Sequence, residues 1–115
     1  MPEYAILEQG QLQSFPHTRE LEGRSQGVGF SFILVDMPPG AGVRLHRHAY
    51  AEMFIVQAGR ATFTVGAESI ELEAPRVVVV HSGVPHAFVN SGQGPLRQVD
   101  IHDSPTIVTE WLEKE

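Results

Sequence analysis

The chain has 115 residues, 42% hydrophobic and 19% charged, a balance that suits one soluble folded domain over residues 1–115 and is too short for two ordinary ones. Its net charge is −6, its only lysine is Lys114, and no cluster of basic residues occurs, which argues against nucleic acid or an anionic membrane as a partner. With no cysteine, no basic-then-apolar leader in "MPEYAILEQGQLQSF" and no apolar run near the roughly 20 residues of a membrane span, a cytoplasmic protein is expected.

In chain order, β-branched and aromatic runs predict strands over 28–37, 52–57, 60–65, 69–73, 76–81, 86–90 and 96–102. Gly and Pro punctuate them. Pro38-Pro39-Gly40 and Gly92–Pro95 read as loops, Ala58-Gly59 and Gly66-Ala67-Glu68 as tight turns. The tail "TIVTEWLEKE" reads as a short amphipathic helix or as an edge strand that buries Ile107 and Trp111. Seven or more short strands with regular turns and no internal repeat imply an all-β sandwich or small barrel.

The chemistry concentrates in "LHRHAYAEMFIVQAG", residues 45–59. Residues of equal parity on a strand share a face, so His46 and His48 point the same way, about 6–7 Å apart at Cβ. Glu52 can join them after a turn at Ala49-Tyr50-Ala51, and His86 opens a later strand behind Val84-Pro85. Three neutral imidazoles and a carboxylate suit a first-row divalent ion. Taken alone, a His-x-His pair is commonly a coincidence of surface composition. Here, however, each histidine-bearing segment follows a Gly/Pro loop and precedes an apolar strand, as at a barrel mouth.

These residues resemble the cupin superfamily. Gly40, His46, His48, Glu52 and Gly59 match every defined position of its first motif, over 40–59. The second motif, about 75–90, is matched by Gly83, His86 and Asn90 and departs at two places: Pro75 replaces the opening glycine and His81 the usual proline. Pro75 can still punctuate a strand start, while His81 gives up a fixed φ and implies a looser loop before His86. The resemblance implies a double-stranded β-helix (jelly-roll) barrel as a single cupin domain. It further implies one octahedral divalent transition-metal ion per chain on His46, His48, Glu52 and His86, with two positions open. Mn or Fe leads; the donors also accommodate Zn, Ni, Co and Cu.

Phe54 and Val56 share the parity of Glu52, and Phe88 that of His86, so these three are expected around the metal as an apolar substrate pocket. Arg44 has the parity of His46 and is placed to pair with a substrate carboxylate. Tyr50 is the candidate acid or base. Asn90 is assigned to strand-end hydrogen bonding, and His17 and His81 carry no role. In "LRQVDIH" the apolar Val99 and Ile101 are expected to face inward, which leaves Gln98, Asp100 and His102 at the surface. The functional expectation is a dioxygenase-like oxidoreductase acting on a small, partly apolar molecule. A metal-assisted isomerase or lyase and a non-catalytic small-molecule binding module are the alternatives. A homodimer joined through 4–12 and the region around Trp111 is expected.

Overall fold

The computed structural model describes residues 3–114. Eleven strands occupy those residues: Gln13–Ser14 (β1), Thr18–Leu21 (β2), Ser31–Met37 (β3), Gly42–Arg47 (β4), Glu52–Ala58 (β5), Arg60–Val65 (β6), Glu68–Glu73 (β7), Arg76–Val80 (β8), His86–Asn90 (β9), Leu96–His102 (β10) and Glu110–Trp111 (β11). They form two antiparallel sheets, ordered β1-β2-β3-β10-β5-β8 and β11-β4-β9-β6-β7, packed as a jelly roll. No described helix is long and apolar enough to cross a membrane. The seven expected strands are present. β1, β2 and β4 add to them, and the tail takes the edge-strand option, with Trp111 about half exposed.

Local chemistry explains the corners. Val65 pairs with Glu68 across a two-residue turn whose first central residue, Gly66, has φ +59°, a region costly for any residue with a Cβ. Gly59, with φ +88°, lies so close to the next strand that an added Cβ would stand 2.4 Å from the Pro95 carbonyl oxygen.

Strand register sorts the inward-facing side chains into rows. Across the six-stranded sheet the first row is Glu52, His102 and Ser31, and the second is Phe54, Asp100, Ile33 and Glu20. Val56, Gln98, Val35 and Thr18 make the third. On the facing sheet His46, His86 and Val65 lie level with the first row, and Phe88 and Phe63 follow them. An aromatic cluster closes the middle: Phe54 meets Phe63 edge to face at 5.0 Å, and Phe63 lies 5.3 Å from Phe88. Beyond it Ala61, Leu72, Leu96 and Met37 fill the far end. The core thus occupies one end of the roll and the polar residues the other.

β10 overturns an expectation. Leu96, Gln98, Asp100 and His102 are its buried side chains, while Val99 and Ile101 are only half-buried on the outer face. The outer neighbours Met53, Leu34, Val77 and Val79 are exposed, so this sheet turns an apolar face outward and a partly polar one inward. Alternation fixes which residues share a face but not which face is buried. His102, at 1% exposure, is among the most buried residues of the chain.

Candidate metal centre

β4 delivers His46 and, one residue past its end, His48; β5 opens on Glu52 and β9 on His86. All four side chains are buried, and one ligand atom from each lies within 4.8 Å of the others. A bulge in β4 makes this convergence. Val43 pairs with Phe88 and His46 with His86, so β4 carries one residue more than β9 over the same span. The extra residue breaks the alternation, and Val43 and His46 both line the cavity.

Backbone carbonyls set the imidazole orientations. Nδ1 of His46 lies 2.8 Å from the Arg44 oxygen, Nδ1 of His48 2.8 Å from the Val108 oxygen, and Nδ1 of His86 2.9 Å from the Val84 oxygen. A carbonyl can only accept, so each Nδ1 carries the proton and each neutral ring keeps its Nε2 lone pair for the interior. Nε2 of His48 and of His86 stand 3.1 Å from Oε1 of Glu52. Lone pairs and a carboxylate at that spacing repel unless a cation lies among them. Nε2 of His48, fully buried, has no hydrogen-bond partner. The four side chains therefore fit one divalent metal ion.

Burial and mutual contacts set the charge preference of each group. Burial pushes the His46 imidazole down to about 4, so it stays neutral at ordinary pH, as a ligand must. Burial also works against ionisation of Glu52, but the surrounding His102, His48 and His86 overcome it and hold the carboxyl well below the usual range. At His48 burial again opposes charge, and the adjoining Glu52 outweighs it, raising that imidazole.

The second oxygen of Glu52 has its own neighbour. Oε2 lies 3.1 Å from Nε2 of His102, in contact but off the line of a well-formed hydrogen bond. Nδ1 of His102 lies 2.7 Å from the Tyr50 hydroxyl, which accepts from the Val108 N–H at 3.3 Å. The Val108 peptide thus touches both His48, through its oxygen, and Tyr50, through its nitrogen. Burial raises the Tyr50 phenol to about 12, so it remains protonated and donates to His102.

A cavity of about 360 Å³ opens from the ligands and is lined by Phe54, Phe88, Ile33, Val35, Val43, Ile107 and Trp111, and by Glu20, Asp100 and His102. Phe54 and Phe88 stand where parity placed them. Val56 is buried but lies one row deeper, in the core rather than in the cavity wall. Arg44 is not in the wall either. It sits in the β4 bulge, where parity with His46 no longer holds, and its guanidinium packs 4.0 Å from the Trp111 ring centroid. Tyr50 stands behind His102 rather than at the cavity surface.

His81 is exposed, and the loop before His86 is tied down, with Val84 N–H donating to the His81 oxygen and Gly83 N–H to the His48 oxygen. His17 is exposed as well. Asn90 closes the strand end, donating to the Met37 and Gly94 oxygens and accepting from the Gly92 N–H. Sequence reasoning missed His102, Asp100 and Glu20. The usable signal was the regular spacing of polar residues at 98, 100 and 102, read with the wrong face inward.

Comparison with known proteins follows from this geometry. No curated protein matches the sequence. Among solved structures, a variant of Bacillus subtilis oxalate decarboxylase superposes with a TM-score of 0.76 at 23% identity, over 87% of this chain and 29% of that one. The same enzyme at pH 4.6 gives 0.80 at 19% identity, over 92% and 31%. The cupin domain of Schizosaccharomyces pombe Cnp3 gives 0.68 at 21%, over 82% and 68%. The chain thus spans less than a third of the oxalate decarboxylase chain, and at these identities the likeness is one of fold. The family model described as a cupin domain matches residues 33–102, more than half of the sequence and all four convergent side chains, and the chain belongs to that family.

Proposed function

We propose that the chain is a metal-dependent enzyme acting on a small, partly apolar organic molecule, and that the reaction is an oxygenation. The observation that carries this reading is the apolar wall beside the ligands: Phe54 and Phe88 line the same cavity as His46, His48 and Glu52. His46, His48, Glu52 and His86 would hold the ion; manganese or iron is favoured, and the same donors accommodate zinc, nickel, cobalt and copper. Such an ion supplies a Lewis acid and, if redox-active, a centre for dioxygen. The chain's own contribution is placement. Phe54 and Phe88 pack the substrate body and keep water away, and the carbonyl-anchored imidazoles hold their lone pairs fixed. Oxygen uptake by Mn- or Fe-loaded protein with a panel of phenols and enols tests the reaction. Uptake above that of His86→Ala supports it, and none above that control across the panel counts against it.

His102 favours a second reading. It lines the cavity with its Nε2 3.1 Å from Glu52 Oε2, where it could carry a proton in an isomerase or lyase reaction without dioxygen. Decarboxylation, the reaction in the name of the structural relatives, is of that class. Turnover kept under anaerobic conditions and lost in His102→Gln would favour this reading over the first.

We also propose a cytoplasmic homodimer. The exposed apolar residues Tyr4, Ile6, Trp111 and Leu112 and the outer face bearing Val77, Val79 and Met53 are surfaces that a second copy would cover. Light scattering at micromolar concentration checks it, and a monomer there contradicts it.

A further inference from the structure

The wall of the cavity carries more carboxyl groups than a metal site needs. Beyond Glu52, Asp100 and Glu20 line it, on either side of Ile33 in the second inward row. Neighbouring strands lie about 4.8 Å apart, so these two carboxyls flank a space roughly 10 Å wide at the backbone. Asp100 is fully enclosed, and its Oδ1 accepts from the Gln98 side-chain N–H at 2.9 Å. No lysine or arginine is among the residues lining this cavity. Arg44 is turned onto Trp111, with its Nε donating to the Glu113 oxygen. Nε2 of His102, buried and part of the same wall, lies 3.1 Å from Glu52 Oε2 but off the line of a well-formed hydrogen bond.

We infer that the cavity selects a non-acidic, hydroxyl-bearing aromatic molecule, of the phenol or catechol class, and disfavours carboxylates; this rests on the reading of the cavity as a substrate site beside a metal. Size fits. An apolar cavity of about 150 Å³ holds benzene, so 360 Å³ takes one ring with its substituents. Chemistry fits as well. Phe54, Phe88 and Trp111 offer faces and edges to a ring, while Asp100 and Glu20 accept from its hydroxyls. An entering carboxylate would exchange water for a wall with three carboxyl groups and no side-chain cation, leaving the metal alone to offset its charge. A dicarboxylate such as oxalate meets the same obstacle twice.

Catechol and salicylate form the discriminating pair: same ring, oxygen donors on adjacent ring positions, one hydroxyl exchanged for a carboxylate. The protein is loaded with Mn²⁺, its metal content measured, and each compound titrated calorimetrically under anaerobic conditions at neutral pH. Catechol is expected to bind at least tenfold more tightly. Glu20→Gln, at a half-buried position, should raise salicylate affinity several-fold and leave catechol within about twofold; Asp100→Leu should weaken catechol at least tenfold. Salicylate binding as tightly as catechol to the loaded protein, with no response to Glu20→Gln, overturns the selectivity and leaves the functional reading standing. A protein that takes up no manganese overturns the functional reading itself. Should Asp100→Leu fail to fold, the Glu20→Gln comparison decides alone.

Discussion

The two sheets contribute opposite chemistry to one cavity. The five-stranded sheet supplies imidazoles, His46 and His86 from its strands and His48 just past β4, each anchored through Nδ1 to a backbone oxygen. The six-stranded sheet supplies acids: Glu52 from β5, Asp100 from β10, Glu20 from β2, with His102 beside Glu52. On the first sheet a neutral nitrogen needs only one fixed hydrogen bond to become a ligand. On the second, each carboxyl depends on its surroundings, and those surroundings separate Glu52, which three histidines hold below the usual carboxylate range, from Asp100, which burial pushes up. One sheet gives the site its three ligating imidazoles; the other gives it the carboxylate ligand and the remaining carboxyls.

The comparison breaks most visibly when a ligand is removed. His86→Ala should weaken metal binding by well over the 10–100-fold that loss of an outer partner costs, measured by chelator competition. On the stability side, Phe63→Ala removes a fully buried ring that touches both Phe54 and Phe88, and should cost about 3–5 kcal/mol in denaturant unfolding without abolishing metal binding. If Phe63→Ala lost the metal as fully as His86→Ala, the separation of core from site would be false.

Most of the five-stranded contribution was legible in the sequence. His46, His48 and Glu52 fall within seven residues, where parity and one turn bring them together, and His86 follows a recognisable loop. Apart from Glu52, which opens β5, the six-stranded contribution was not legible, for a physical reason. From Gln98 to His102 β10 alternates polar and apolar side chains, but alternation is symmetric between faces, and the ordinary preference for burying valine and isoleucine chose the wrong one. Polar residues face inward there because the cavity supplies Glu52 to His102 and because the Gln98 side-chain N–H donates to Asp100. Arg44 misled for a related reason: a bulge, which one sequence does not announce, cancels the parity that pointed it at the cavity.

Smaller effects sharpen the contrast. His102→Ala should lower metal affinity 10–100-fold, since it frees the second oxygen of Glu52, while Tyr50→Phe, which keeps the ring and removes the hydrogen bond to His102, should lower it less. Equal metal affinity in wild type and His102→Ala would remove His102 from the account. The subtlest effect is in pH. Folding lifts the Asp100 carboxyl well above its ordinary 3.8, so the folded chain holds this proton more tightly than the unfolded one. The stability it contributes is complete below about that pH and is lost as pH rises through the folded value. Asp100→Asn should remove this slope in the metal-free protein and gain on the wild type as pH increases; parallel pH profiles would contradict it.

The central claim is that four side chains from facing sheets hold one ion. Elemental analysis of protein purified without added metal, beside a variant with His46, His48, Glu52 and His86 all replaced by alanine, tests it most directly. The account predicts close to one equivalent of a first-row transition metal in the wild type and almost none in the variant. Equal metal in both, or none in the wild type even after incubation with Mn²⁺ or Fe²⁺, would contradict it.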